Sequence, residues 1–338
     1  MRGHPPRFSV PELLILKPSS LGDIIHALQV ATTIKAQQPD VRISWVVREI
    51  FAPIVRACNA VDQTYVFERK GGTKGFLKLT RELRLKKFDY AFDMQGLLRT
   101  GLLMSRVHAS QKVGRTDARE GARFFCKTRV PLPPDGRRSH AIDILLQFCP
   151  VLGLKPELQG QLAFREVDSL NLRHLEGGRA GQRPVVIFPD SRREEKRWHG
   201  FKQLTELIIR EPGGRRVIWA GNNYIPDGGA MPADRFLNLT GNTSLVSLPA
   251  LVRRADWVIS NDSGPMHLAA AMRVRTFAIF GPTDPRLFGP YPLNAPTNHV
   301  IQAPLGDLRL LSVKDVLARF HRIDTVGGNR PASRKPIP

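Results

Sequence analysis

In the first half of the chain, apolar residues gather into short runs that alternate with stretches of helical period. ELLILKP (12–18) is almost continuously apolar, as a strand covered on both faces of a parallel sheet must be. From Asp23 to about Gln37 the period lengthens, with Ile24, Ala27, Leu28 and Ala31 on one helical face. VRISWVV (41–47), a short helix around FAPIVRAC, TYVF, a basic helix FLKLTRELRLKKF and the strand DYAFDMQ (89–95) follow. After GLLRTGLLMSRV the pattern loosens through KVGRTDAREGARFF, then recovers as a helix in HAIDILLQFCPVLGL. Strands and helices in alternation predict an α/β unit with a doubly wound parallel sheet.

Between about Lys155 and Gln182 the sequence is polar and holds no sustained period. The alternation then restarts with PVVIFPD (184–190), the helix GFKQLTELIIRE, RRVIWAGN (215–222) and FLNLTG (236–241). It continues through the helix SLVSLPALVRRA, DWVISND (256–262), the helix GPMHLAAAM, TFAIFG (276–281), NHVIQA (298–303) and a last helix near VKDVLARFHRI. The chain therefore divides into a unit over 1–155, a linker region 156–182 and a second unit 183–325. A Gly/Pro/Arg-rich tail, 326–338, is expected to be disordered. Two Rossmann-like units of this kind are expected to face each other across a cleft at the carboxyl ends of their strands. Neither first strand is followed by G-x-G-x-x-G, which argues against a nicotinamide or flavin dehydrogenase.

Composition narrows the class. A length of 338 residues with 42% hydrophobic and 24% charged residues is enough for two cores. No run of about eighteen apolar residues predicts a membrane span, and the first residues, MRGHPPRFSVPELLILKP, break on prolines too early for a signal peptide. Cys58, Cys126 and Cys149 lie too far apart for a metal-ligand spacing, so buried free thiols and a cytoplasmic location are expected. The charge is unusual: 51 Lys and Arg against 30 Asp and Glu leave +21. Such a field suits polyanions, whether nucleic acid, anionic lipid headgroups or phosphorylated sugars and nucleotides, unless the charges are merely solvated.

Several stretches carry candidate chemistry. SSLGDIIHAL (19–28) places Asp23 in a strand-to-helix turn, where it either caps the helix or presents a carboxylate. PDSRREEKRWHGF (189–201) presents Ser191, Arg192, Arg193, Lys196 and Arg197 after a strand, either a solvated basic loop or a set of groups suited to phosphate oxygens. In SNDSGPMHLAAA (260–271), Asp262 ends a strand, Ser263 and Gly264 turn, and Pro265 suits the start of a helix. The free amides of that helix and its dipole suit a diphosphate. Asp262 and Ser263 read equally as a cap, and His267 as a packed core histidine. FGPTDPRLFGPYP (280–292) is an ordered loop after a strand.

These stretches also carry a resemblance. LTGNTSL, NDSGPMHLAAA and FGPTDP in the second half, with LILKPSSLGDIIHALQV, WVVREIF, DYAFDMQGLLRTGLLMSRV and TDARE in the first, resemble the bacterial heptosyltransferases of glycosyltransferase family 9. The likeness runs from about Leu13 to Ala303 and is nearest to the heptosyltransferase I type. It implies the GT-B architecture, with acceptor bound by the amino-terminal domain and donor by the carboxy-terminal one. It also implies inverting transfer of heptose from ADP-heptose to the Kdo and inner core of lipopolysaccharide, with no metal and no cofactor beyond the donor.

By the same resemblance Asp23 is the catalytic carboxylate and Lys196 the phosphate-binding lysine, with Ser191 and Arg192 near phosphate. Asp262, Ser263, Gly264 and His267 fall on the nucleotide-binding turn, and Thr243 near the base. The acceptor would be an anionic glycolipid of the Kdo–lipid A type, met by Arg69, Lys70, Arg99 and Arg119. That places the protein at the cytoplasmic face of the inner membrane, with peripheral contact there and no nucleic acid partner. The helix FLKLTRELRLKKF reads as a core helix with a basic solvent face, or as a membrane-facing one.

Two departures stand out. Family members place a carboxylate on the nucleotide ribose where WAGNNYIPDGG offers Asn222, Asn223 and Tyr224, with Asp227 the nearest acid. Asp190, ahead of the phosphate loop, would repel a diphosphate unless Arg192 or Arg193 pairs with it. The first departure leaves open a family 9 transferase with another nucleotide sugar or a non-lipopolysaccharide glycan. The charge leaves open a basic nucleic-acid-binding protein on the same fold, though aromatic residues are only 7% and no stacking cluster supports it.

Overall fold

The computed structural model describes residues 10–165, 183–211, 214–229 and 231–326. The expected linker region from 166 on, and the expected tail from 327 on, lie outside the described residues. The chain forms two compact units, Met1–Leu170 with Leu245–Ala250, and Asn171–Ser244 with Leu251–Pro338.

The first unit runs β1 (Glu12–Leu16), α1 (Leu21–Gln37), β2 (Arg42–Arg48), α2 (Ala52–Ala57), β3 (Gln63–Phe67), α3 (Gly72–Arg84) and β4 (Lys87–Asp93). It continues with α4 (Leu98–Arg106), β5 (His108–Arg115), β6 (Thr128–Val130) and α5 (Ala141–Leu146). All its strand pairs are parallel, in the order β3-β2-β1-β4-β5-β6. β1 is central, which is why Leu13 to Leu16 are all fully buried. Strand alternation sends Leu14 and Leu16 into one core layer with Leu79 and Leu83 of α3 and Leu103 and Met104 of α4.

The second unit repeats the plan. β7 (Val185–Phe188), α6 (Phe201–Arg210), β8 (Val217–Gly221), β9 (Phe236–Thr240), α7 (Leu248–Arg254, belonging to this unit from Leu251 on), β10 (Trp257–Asn261) and α8 (Gly264–Ala271) come first. β11 (Arg275–Phe280), α9 (Pro285–Phe288), β12 (Asn298–Gln302) and α10 (Val313–Val326) complete it. Its parallel sheet is ordered β12-β11-β10-β7-β8-β9, the same sequence of crossovers as in the first. Strand order reverses beside β1 in one sheet and beside β7 in the other. Such switch points open a crevice at the carboxyl ends of the strands. The α/β fold with two Rossmann-like parallel sheets is as the sequence predicts.

The differences are local. β5 and β6 arise where the pattern loosened, because HASQKVGR and TRV bury little: Val113, Gly114 and Val130 are their buried residues. The helix expected over FLKLTRELRLKKF starts earlier, at Gly72, and stops at Arg84; Lys87 and Phe88 instead join β4. Pro150 interrupts the long helix expected in HAIDILLQFCPVLGL, which becomes α5 and a short 3-10 turn over Cys149–Leu152. Cys58, Cys126 and Cys149 are free and buried, and burial pushes each thiol up to about 12.

Candidate functional site

The carboxyl edge of the first sheet collects charge that the core beneath it does not tolerate unpaired. Ser20, not Asp23, is the N-cap of α1; Asp23 stands at the third helical position and closes a capping box with it. The Ser20 amide donates to Asp23 Oδ2 at 3.0 Å and the Ser20 hydroxyl at 2.6 Å. The other oxygen, Oδ1, lies 3.4 Å from Lys17 Nζ. Lys17 follows β1 directly, is only 3% exposed and donates to the Met94 carbonyl at 3.2 Å, whereas the Asp23 side chain is 46% exposed.

The two charges depend on each other. Desolvation would raise the Asp23 carboxyl, but the Lys17 ammonium, the Ser20 hydroxyl and amide, and His26 outweigh it and hold the group well below the usual carboxylate range. Burial lowers the affinity of Lys17 for its proton, with Asp23 opposing. Asp93, at the end of β4, completes the floor: its carboxylate accepts from the amides of Gln95 and Gly96 and from the Thr100 hydroxyl. Burial nonetheless pushes that carboxyl up. Arg115, at the end of β5, donates to Asp117 and to the Met94 carbonyl.

On the second sheet, Asp262 follows β10 and is buried. Its Oδ2 accepts from Lys196 Nζ at 2.5 Å and from the Thr283 hydroxyl at 2.7 Å, and His267 Nε2 lies 4.0 Å from Oδ1. It is thus engaged as an ion-pair partner. Ser263 is the N-cap residue of α8, but its hydroxyl meets Ser260 Oγ at 2.9 Å and leaves the helix amides uncapped by a side chain. Asn261 fixes the neighbouring loop by accepting from the Trp198 amide and donating to the Pro189 carbonyl. Asp190 is paired, though with Arg197 at 2.8 Å, and it also accepts from the Asn223 side-chain amide at 2.8 Å. Neither Arg192 nor Arg193 fills that role: Arg193 pairs with Glu195, and the Arg192 side chain is exposed.

Residues 76–309 match the model of glycosyltransferase family 9 (heptosyltransferase). The chain belongs to this family. Lipopolysaccharide core heptosyltransferase OpsX of Haemophilus influenzae is 27% identical over 82% of this chain and 81% of its own length. Lipopolysaccharide heptosyltransferase 1 of Escherichia coli K12 is 28% identical over 91% of this chain and 98% of its own. The fold matches that of Escherichia coli heptosyltransferase WaaC with ADP at a TM-score of 0.75, with 24% identity, covering 92% of this chain and 99% of that one. It also matches the family 9 glycosyltransferase of Veillonella parvula at 0.77, with 21% identity over 93% and 97% of the two chains.

The fold of this family 9 chain sorts the residues singled out from the sequence into two groups. Asp23, Arg69, Lys70, Arg99 and Arg119 all fall on loops or first helical turns at the carboxyl edge of the first sheet. Arg99 stands over the Phe67 ring at 5.4 Å, and the Arg119 amide bonds the Gly96 carbonyl. Ser191, Arg192, Lys196, Thr243, Asp262, Ser263, Gly264 and His267 follow strands of the second sheet. Thr243 bridges the Leu239 carbonyl and the Gly221 amide. Among the described residues, no group of three or more His, Cys, Asp or Glu is arranged to hold a metal ion, and no helix is long and apolar enough to cross a membrane.

Sequence reasoning missed Lys17, Asp93, Arg115 and Thr283, and it named Arg197 without its pairing to Asp190. Lys17 left one signal, a lysine closing an otherwise apolar strand. The others are ordinary loop residues until the fold brings their partners.

Proposed function

We propose that this chain is an inverting glycosyltransferase that moves heptose from ADP-heptose to the Kdo region of the lipopolysaccharide inner core. The observation that carries the reading is the state of Asp23, ionised, oriented by Ser20 and Lys17, and half exposed on its own sheet edge. A carboxylate held so firmly ionised is a weak base toward a resting hydroxyl. It suits a proton that leaves late, once the attacking oxygen has begun to bond to carbon and become acidic. In this reading the acceptor oxygen forms its bond to the anomeric carbon as the bond to the diphosphate breaks. Asp23 takes the hydroxyl proton, and the leaving ADP keeps the electron pair.

The second unit would meet the charge of that leaving group. Lys196, set by Asp262, and the first amides of α8 are the groups suited to diphosphate oxygens, with Ser191, Arg192, Ser263, Gly264 and His267 around them. Thr243 would lie near the base. Arg69, Lys70, Arg99 and Arg119 would bind the anionic acceptor, a glycolipid at the cytoplasmic face of the inner membrane. Membership of family 9 and the lipopolysaccharide heptosyltransferases among its relatives support the substrates. The unit boundaries proposed for the whole chain remain 1–155 and 183–325.

The test is Asp23→Ala. Transfer should fall by about a thousandfold or more, within the range of a lost general base, while ADP titrated by calorimetry binds as to the wild type. Transfer at a normal rate would reduce Asp23 to a capping-box residue. A second reading, another nucleotide in place of ADP, is favoured by Asn223, whose amide is spent on Asp190. Titration with ADP, UDP and GDP decides it: weakest binding of ADP would favour that reading.

A further inference from the structure

The outer face of α4 and the 3-10 turn beside it, Ala122–Phe125, expose large apolar side chains among arginines. Leu98 and Leu102 are one turn apart on α4, with Arg106 one turn further, so all three share a face. Leu98 is 43% and Leu102 41% exposed. Phe124 is 76% exposed, with the Arg123 guanidinium 4.9 Å from its ring centre.

The two elements are locked together. A side chain at Gly101 would collide with Phe125 and Ala122, the Leu98 amide donates to Glu120 Oε2, and the Arg119 amide donates to the Gly96 carbonyl. Between Leu98 and Arg129 the chain carries eight Lys and Arg against Asp117 and Glu120. Asp117 is paired with Arg115, so its charge is already compensated.

We propose that this face of the first unit docks on an anionic lipid bilayer, with Phe124, Leu98 and Leu102 entering the interface and Arg106, Arg123 and Lys127 meeting headgroup phosphates. Apolar side chains scattered singly over a surface are ordinary; Phe124, Leu98 and Leu102, exposed on two elements that pack together in an arginine-rich stretch, match the two terms of interfacial binding, apolar insertion and charge. A nucleic acid would use the cations but gain little from the leucines, and no platform of stacked aromatics is present on this face among the described residues. The first turn of α4 lies at the carboxyl edge where Arg99 was placed, so docking here would bring a lipid-borne acceptor to the edge that holds Asp23. That last step rests on the proposed function; the docking itself does not.

The test is flotation of the full chain with vesicles of phosphatidylglycerol and phosphatidylcholine in equal parts, against vesicles of phosphatidylcholine alone. The wild type should float with the anionic vesicles, release in high salt and stay behind with the neutral ones. Leu102→Gln with Phe124→Ser should weaken partitioning at least about tenfold, and by more the deeper the two side chains insert. Because both positions are exposed, the thermal melt should not move, and transfer to a water-soluble acceptor fragment without acyl chains should be unchanged. Floating of the double variant as well as the wild type, absence of wild-type binding to anionic vesicles, or binding to duplex DNA in their place would each overturn the proposal. Loss of transfer with vesicle binding intact would count against the proposed function and leave the docking face standing.

Discussion

Replacing Lys17 by methionine removes the cation that keeps Asp23 ionised while roughly preserving volume. Lys17 Nζ lies 3.4 Å from Asp23 Oδ1. At that distance two unit charges attract by about 5 kcal/mol at an effective dielectric of about 20, and by about 1 kcal/mol in water. The Asp23 side chain is 46% exposed, so solvent screening puts the working value near the lower end. A worth of about 1.5–2.5 kcal/mol corresponds to a rise of between about one and two pKa units in the carboxyl.

Asp23 is depressed in the folded protein, so its ionised form contributes stability above the unfolded value of about 3.9 and loses it only as pH falls through the lower folded value. Without Lys17 that window narrows from the acid side. The remaining neighbours do not replace the ammonium: His26 acts weakly, Arg115 is engaged with Asp117, and Asp93 carries the wrong sign.

The assay is the acid titration of the Asp23 carboxyl carbon by NMR, with kcat/KM for heptose transfer measured beside it at neutral pH. In Lys17→Met the Asp23 midpoint should rise by about one to two units from its depressed position toward the ordinary carboxylate range, and transfer should stay flat through mildly acidic solution in both proteins. The neutral rate should also fall about tenfold as the carboxylate loses its orientation. Lys17→Arg should restore the depressed midpoint, which a role in packing alone would not require. An unmoved Asp23 midpoint in a folded, active Lys17→Met enzyme would refute the assignment of Lys17 as the group that holds Asp23 ionised.

Two further predictions concern the second unit. Lys196→Ala should weaken ADP binding by about tenfold to a hundredfold, the worth of one charge-assisted bond, and calorimetry giving an unchanged affinity would remove Lys196 from the donor site. Asp324 on α10 accepts from Arg215, Arg275 and Trp257 Nε1, and Arg275 also pairs with Asp256, so the carboxylate ties α10 to the amino ends of β10 and β11. Asp324→Ala should cost about 2–3 kcal/mol, a half-buried version of a broken ion-pair network, read as a lower urea midpoint; a change under about 0.5 kcal/mol would mean the arginines find other partners.

The chain alone determined the order of the strands and helices whose apolar pattern is regular, because a pleated strand and a helix impose their periods locally and the apolar residues obey them. It also placed Asp23, Lys196 and Asp262 on turns after strands, since the turn residues around them are local too. It did not reveal β5, whose His108–Arg115 strand is polar enough to look like a loop and is held by its pairing with β4. Nor did it reveal that Asp190 pairs with Arg197 in preference to its nearer neighbours, because the loop folds back on itself through a 3-10 turn over Glu194–Lys196.

Lys17 is the clearest case. In sequence it is only the residue that ends β1. Its burial, and with it the state of Asp23, depends on β4 lying beside β1 and β5 beyond β4, so that the Met94 carbonyl accepts from both Lys17 and Arg115. Likewise Leu98 and Phe124 are scattered apolar residues in the chain, and only the packing of α4 on its neighbouring turn brings the elements that carry them together. Local periods are written residue by residue, whereas the desolvation and pairing of a charge depend on neighbours tens of residues away, and the fold alone brings those together.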